Sequence, residues 1–338
     1  MNEFTAFVGI DISKKTFDAC IVFSNNAASH HHVFSQSAQG FHGFDTWLKT
    51  YAIDPEQTLY CMEHTGLYGE GLIQYLVDQN VSLWVEMAIK IKRSMGLQRG
   101  GDDKASAKMI ASYAMRFADQ VKLWKPIDTR LSEIRMLMRQ RDRLITALKQ
   151  LQVPVGELLE CGNAKMASQL QSNQRQIIHQ LEKGITKIDE QVNDLIKADV
   201  TIAKKVECIT SIKGIGKQTA VALLVYTKGF SMFENGKQLA CYCGVVPFAK
   251  SSGTSVRFKP SVSPFANRKL KSLLHLCALA ALRHDAEIRT YYERKLLEGK
   301  NKMSVINAIR NKLLQRIFAV LRDDRAYVEN YIYQCAKL

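Results

Sequence analysis

Four acidic residues stand where the apolar pattern of the N-terminal third of the chain stops. Asp11 follows FVGI, Glu63 closes TLYCM, and Asp102 and Asp103 precede the periodic run 105–117. A single surface carboxylate is ordinarily just solvated. Carboxylates at strand ends on one side of a sheet have another use, because they can converge on hard divalent cations. Two Mg²⁺ ions about 4 Å apart would activate a nucleophile and stabilise a leaving oxygen in phosphoryl transfer. A second signal is ITSIKGIGKQTAVALL at 209–224, a glycine turn between two apolar helical stretches. It reads as a helix-hairpin-helix element, whose glycines expose N–H groups at a helix N-terminus to a phosphate. Lys213, Gly214, Gly216 and Lys217 are its candidate contacts; a plain tight turn between helices would use the same residues.

The elements that must position these groups follow from periodicity. TAFVGI (5–10), TFDACIVF (16–23) and a segment at 28–34 read as strands, with helical spacing at 40–52. TLYCME (58–63), a helix from 68 to 78, SLWVEM (82–87), a helix at 105–117 and a last short strand VKLW (121–124) complete an α/β pattern with a mixed sheet. From Leu131 the period becomes helical throughout. Val153-Pro154-Val155-Gly156 is expected to break the first long helix. Ile178, Leu181, Ile185, Ile188, Val192 and Leu195 then form a heptad seam. The two arms read as an antiparallel hairpin or as a coiled coil with another chain, the second being preferred. Two more strong helices are expected at 267–283 and 302–321.

Charge separates the chain into two parts. Residues 1–126 hold 12 Lys/Arg and 13 Asp/Glu, whereas 127–338 hold 35 and 19, so the excess of +16 lies in the second part. A field of that size favours a polyanion, and nucleic acid first. No apolar run approaches a membrane span and no secretory pattern opens the chain, so the expected place is the cytoplasm. The eight cysteines form no C-x-x-C pair and read as buried apolar groups. His30-His31-His32 lies in an alternating segment; neighbours face opposite sides and cannot chelate together, so it reads as a solvated strand.

These segments resemble the DEDD-type insertion-sequence transposases, the family that includes the Piv-type DNA invertases and the bridge-RNA-guided serine recombinases. VGIDISKKTFD is similar to the first acidic motif with Asp11, CMEHTGLYG to the second with Glu63, and RGGDDKASAKMIASYA to the third. Aligned on Ala107 and Ile110-Ala111, the third acidic position is Asp103, and Ser106 falls where the family usually has a fourth Asp. IKGIGKQTAVALL, FENGKQLACYCGVVP and SSGTSVRFKPSVSPFANRKLKSLLHLCALAAL resemble the family's transposase domain.

The resemblance implies an α/β RuvC-like (RNase H type) domain over 1–126, a helical coiled-coil arm over 127–200, and a mainly α transposase domain over 201–338. It implies catalytic Asp11, Glu63 and Asp103 holding Mg²⁺, or Mn²⁺ in its place, with Asp102 and Ser106 as reserve ligands. It places the nucleophile at Ser252 of Ser251-Ser252-Gly253, with Arg257, Lys259, Arg268 and Lys269 on nucleic acid. The implied partners are donor and target DNA, a guide (bridge) RNA, and a second copy in a dimer or tetramer that assembles the acidic site and the serine between subunits. Rival readings are a junction-resolving nuclease without a serine step, a non-catalytic DNA-binding protein, and an ASKHA-type kinase. The kinase would need a second Asp-Gly-Thr turn and a Gly-Gly motif, and the sequence has neither.

Overall fold

Alternation of side chains in the first strands decides the architecture of the N-terminal unit. The computed structural model describes residues 4–64, 66–96, 102–125, 128–252 and 256–329, and its contacts divide the chain into units 1–126 and 127–338. In the first unit the strands are β1 (Ala6–Ile12), β2 (Thr16–Phe23), β3 (Asn26–Ser35), β4 (Thr58–Glu63) and β5 (Ser82–Glu86). They form one sheet in the order β3-β2-β1-β4-β5, with β2 antiparallel to β1 and β3, and β4 parallel to β1 and β5. Val8, Ile10, Phe17, Ala19 and Ile21 point to one face, where α1 (Ala38–Thr50) and α2 (Glu70–Asp78) cover them with Phe44, Leu48, Leu72 and Leu76.

The other face takes α3 (Ala88–Ser94) and α4 (Asp103–Arg116). Ile110, Tyr113 and Ala114 of α4 meet Phe7, Leu59, Cys61 and Trp84, while Ala107 and Ala111 meet Cys20 and Val22. The close approach depends on Gly9. A Cβ there would lie 2.2 Å from both the Ala107 carbonyl oxygen and the Ala111 nitrogen, so only glycine lets α4 lie flat on β1.

Two expectations for this unit change. VKLW at 121–124 is not a strand; one backbone bond, Trp124 N–H to the Leu83 oxygen at 2.6 Å, ties it to β5, and no ladder follows. The histidine segment is a strand, yet it is not merely solvated: His31 Nε2 lies 2.7 Å from Asp18 Oδ1, and the His30 ring packs on Tyr51 at 4.2 Å.

The second unit opens with a pair of long helices, α5 (Thr129–Glu160) and α6 (Ala164–Lys197). Pro154 does not end α5. It sits exposed, where the Gln150 carbonyl that loses its N–H partner is on the solvent side of the helix. The stop is Gly162, at φ +75, where Asn163 N–H donates to the Leu158 carbonyl and Gly162 N–H to that of Leu159. Asn163 then caps α6.

Arg130 pairs with Asp199, Arg141 with Asp189, and Leu144 faces Gly184, so the helices run antiparallel. The lower part of the heptad seam is therefore covered within the chain: Ile188, Val192 and Leu195, with Ile196 beside them, join one core with Leu131, Ile134, Leu137 and Leu144. The antiparallel-hairpin arrangement is thus the one this part of the seam adopts. A helix joined to its neighbour by a three-residue turn closes its apolar stripe locally.

That core continues through α7 (Val200–Thr210), α8 (Lys217–Tyr226), α9 (Gly236–Tyr242), α10 (Arg268–His284), α11 (Ala286–Leu297) and α12 (Lys302–Arg322). Between α9 and α10 stands a hairpin of β6 (Pro247–Ser252) and β7 (Val256–Val262). The C-terminal unit is thus mostly helical beside a mixed α/β N-terminal unit. None of the described helices is long and apolar enough to cross a membrane.

Candidate active site

Register, more than sequence proximity, gathers the acidic groups. Asp11 on β1 is the cross-strand partner of Asp18 on β2. The β1–β4 register pairs Gly9 with Cys61, which puts Glu63 beside Asp11 two residues on, and Glu63 pairs with Glu86 on β5. Paired residues share a face. Four carboxylates, Asp18, Asp11, Glu63 and Glu86, therefore stand in a row across β2, β1, β4 and β5, on the face that α4 covers. Asp103 opens α4 above that row, and Ser106 follows one turn later.

The row is electrically uneven. Its outer members have partners supplied by the chain: the His31 ring lies against Asp18, and Lys90 Nζ lies 2.6 Å from Glu86 Oε2. Glu86 also accepts the Met87 N–H at 2.9 Å and lies 3.5 Å from the Tyr113 hydroxyl. Among the described residues the inner members lack a directly paired cation. Burial raises the Asp11 carboxyl above its ordinary range, the charges of Asp103 and Asp18 raise it further, and a hydrogen bond from Ser106 acts against them. Glu63 is raised by burial and by Asp11, with Lys92 of α3 opposing. Asp102 is engaged elsewhere: it caps α4, its Oδ1 accepting the Ala105 N–H at 2.6 Å. It is a helix cap in this structure.

In the second unit the glycine turn joins α7 to α8. Gly214, at φ +92, lies against α10; a Cβ there would come within 2.6 Å of the Ala281 nitrogen. Glycine at this position is what lets the turn lie against α10. Gly216 has open space around it, and Lys217 is exposed at the start of α8. Lys213 pairs with Glu329, and Lys269 with Asp142 of α5 at 2.7 Å, whereas Arg268 is exposed at the start of α10. Backbone pairing in the hairpin sets Ser252 opposite Val256 and Ser251 opposite Arg257. The side chains of Ser252, Arg257 and Lys259 lie outside the described residues, as does Cys335.

Comparison with known proteins bears on both units. Residues 8–161 match the model of the IS110-type DEDD transposase domain, and residues 206–293 that of the transposase IS116/IS110/IS902 family. Two segments of the chain thus match domain models of IS110/IS116-type transposases. It is similar to the pilin gene-inverting protein of Moraxella bovis, 27% identical over 325 residues, covering 95% of this chain and 97% of that one. The 43.6 kDa protein of insertion element IS110 from Streptomyces coelicolor is 30% identical over 195 residues, covering 57% of this chain and 45% of its own. The transposase of IS1111A from Coxiella burnetii is 25% identical over 250 residues, covering 67% and 68%. The chain is accordingly a DNA recombination or transposition enzyme, acting on DNA.

A DEDD transposase domain carries an expectation of divalent metal, and the donor set can be tested against it. Among the described residues no three His, Cys, Asp or Glu side chains converge closely enough to hold an ion as they stand. The chemistry of the donors nevertheless fits. They are oxygens only, and the inner carboxylates are the ones left, among the described residues, without a cation in contact, Asp103 and Asp18 raising the pKa of Asp11 and Asp11 that of Glu63. Asp11, Glu63 and Asp103 would hold a hard divalent ion, with the Ser106 hydroxyl on Asp11. Sequence reasoning missed Asp18, Glu86 and His31. An Asp inside the otherwise apolar strand TFDACIVF was the available signal, since a buried carboxylate requires a partner.

Proposed function

We propose that this chain cuts and rejoins DNA at the ends of a mobile or invertible segment, through a covalent serine–DNA intermediate. The supporting observation is the acidic row on a mixed sheet in a chain that also carries the second transposase domain. The sheet order and the row suit a RuvC-like, RNase H type unit, and Gly216 with Lys217 suits the phosphate-facing turn of a helix-hairpin-helix element.

In this reading Ser252 Oγ attacks a backbone phosphorus. A P–Oγ bond forms, one deoxyribose oxygen leaves and takes up a proton, and the reverse attack by a deoxyribose hydroxyl rejoins DNA and frees the serine. Bond energy is conserved, so no ATP is required. When bound, Mg²⁺ or Mn²⁺ supplies charge stabilisation at the attacking and leaving oxygens. Ser106 holds the Asp11 carboxylate by its hydrogen bond, and Asp102 fixes the start of α4 so that Asp103 faces the row. Arg257 and Lys259 neutralise the developing phosphorane charge. The acidic site and Ser252 come together between subunits of a dimer or a tetramer. A guide RNA pairs with donor and target DNA, so that the basic unit grips backbone and shape. The enzyme works in the cytoplasm, on the nucleoid.

The deciding experiment traps the protein on DNA and tests for a covalent adduct. Ser252→Ala should abolish the adduct and recombination and keep DNA binding. A Ser252→Ala protein that still cleaves DNA would replace this reading by the second one, a RuvC-like structure-specific nuclease that uses the acidic row alone.

A further inference from the structure

A buried arginine in the C-terminal unit lacks an anion. Arg310 of α12 is 6% exposed. Its Nη2 donates to His275 Nδ1 at 2.7 Å and its Nη1 lies 3.4 Å from Asn307 Oδ1, while Nε has no partner. Asn307 in turn donates to the Val245 carbonyl at 2.6 Å, two residues before β6 begins. No carboxylate among the described residues pairs with this guanidinium; burial alone acts on it. A buried cation with only neutral partners is unfavourable unless an anion reaches its surroundings.

The contact with His275 has a chemical consequence. A guanidinium only donates, so His275 Nδ1 must accept. The imidazole is then neutral, with its proton on Nε2. Burial and the Arg310 charge both lower the His275 pKa, which agrees. His275 is half-buried on α10, on one face with Arg268, Lys271 and Ser272 at helical spacings of three, four and seven. That face therefore combines a fixed N–H donor, a buried positive charge behind it and two further cations, in the part of the chain that carries +16.

We propose that His275, backed by Arg310, receives a phosphodiester of a nucleic-acid backbone on this face of α10. This rests on the nucleic-acid function proposed above. His275 is the contacting group, and Arg310 is a positioning residue that fixes its tautomer and adds charge. A phosphodiester fits because it offers acceptor oxygens to Nε2–H and one negative charge to the field of Arg310.

The test measures binding of the full-length protein to a random-sequence DNA duplex, and separately to an RNA duplex of the same sequence, from about 50 to about 200 mM salt. Arg310→Met should weaken binding and lower the salt slope by about one. His275→Phe, which keeps the ring bulk and loses both nitrogens, should weaken binding about tenfold. His275→Gln, with an oxygen for Arg310 and an N–H for the phosphate, should return it to near the parent. Loss on DNA alone, on RNA alone or on both supports the site and names its strand. If Arg310→Met does not fold, the His275 pair decides. His275→Phe binding both duplexes with the parent's affinity and slope would overturn the proposal and leave a brace between α10, α12 and Val245. A parent protein that binds neither duplex would overturn the functional reading with it.

Discussion

Replacing Gly9 by alanine should damage the acidic site without touching any of its charges. The new Cβ would lie 2.2 Å from the Ala107 oxygen and the Ala111 nitrogen, and 2.8 Å from the Ala111 Cα. These are backbone atoms of a regular helix and cannot rotate away. Relief to an ordinary contact of about 3.4 Å requires α4 to retreat from β1 by about 1.2 Å. Overpacking of this kind costs about 1–3 kcal/mol. The retreat carries Ser106, one residue from the collision, and Asp103, one turn away, while Asp11 stays on β1 two residues beyond Gly9. The Ser106–Asp11 hydrogen bond is then lost, and a misplacement of about 1 Å is enough for a rate loss of about a hundredfold. Recombination of a plasmid substrate and thermal unfolding should be measured on the same preparations. Gly71→Ala is the control, since its Cβ would meet only the tip of the Phe41 ring at 3.9 Å. Gly9→Ala with parental melting and parental recombination would refute the view that α4 is held on β1 by this contact.

Ser106→Asp restores a fourth carboxylate beside Asp11 and should shift the metal titration of recombination to lower concentration; equal midpoints would remove position 106 from the site. The Asp11 carboxyl is raised in the folded state, so its stability contribution is lost as pH rises from 3.8 through the folded value. Metal-free Asp11→Asn should therefore melt above the parent at neutral pH while recombination is abolished, and divalent ion should raise the melting temperature of the parent alone. Lys228 is pushed down to about 8 by burial, with Arg135 adding to it. Between about 8 and its ordinary 10.5 the unfolded chain holds the extra proton, so stability should rise with pH across that window, and Lys228→Met should flatten the rise in pH-dependent denaturant melts.

What was legible in the sequence was periodic. The four strands β1, β2, β4 and β5 alternate side chains over a buried face, and Asp11 and Glu63 mark where that alternation reaches the sheet edge. What was not legible depended on neighbours distant in sequence. VKLW has strand composition but only one bond to β5. Pro154 has a helix-breaking side chain, but α6 packs alongside α5 and the proline is exposed, so tertiary contact outweighs propensity. Gly214 sits in a motif that suggests phosphate, but its α-carbon lies against Ala281, and only the position of α10 reveals that. Asp18 and Glu86 join the row through strand pairing, a property that residue order alone does not show.

Charge compensation gives the acidic row its chemical meaning. A row of four carboxylates on adjacent strands, about 4.8 Å apart, is unfavourable unless cations meet it. Among the described residues the chain meets it only at the ends, with the His31 ring on Asp18 and the Lys90 ammonium on Glu86. Those partners sit on β3 and α3, on the two sides of the sheet's centre. At the centre, Lys92 acts on Glu63 without an ion pair, and Ser106 gives Asp11 a neutral hydrogen bond. A fold selected for stability alone would place a lysine where Ser106 stands, since a serine hydroxyl cannot neutralise Asp11. Leaving the inner pair short of positive charge makes the site favour an added cation there over one at either end. The neutral hydroxyl orients Asp11 without competing for that position. The N-terminal unit therefore concentrates its chemistry at two strands, β1 and β4.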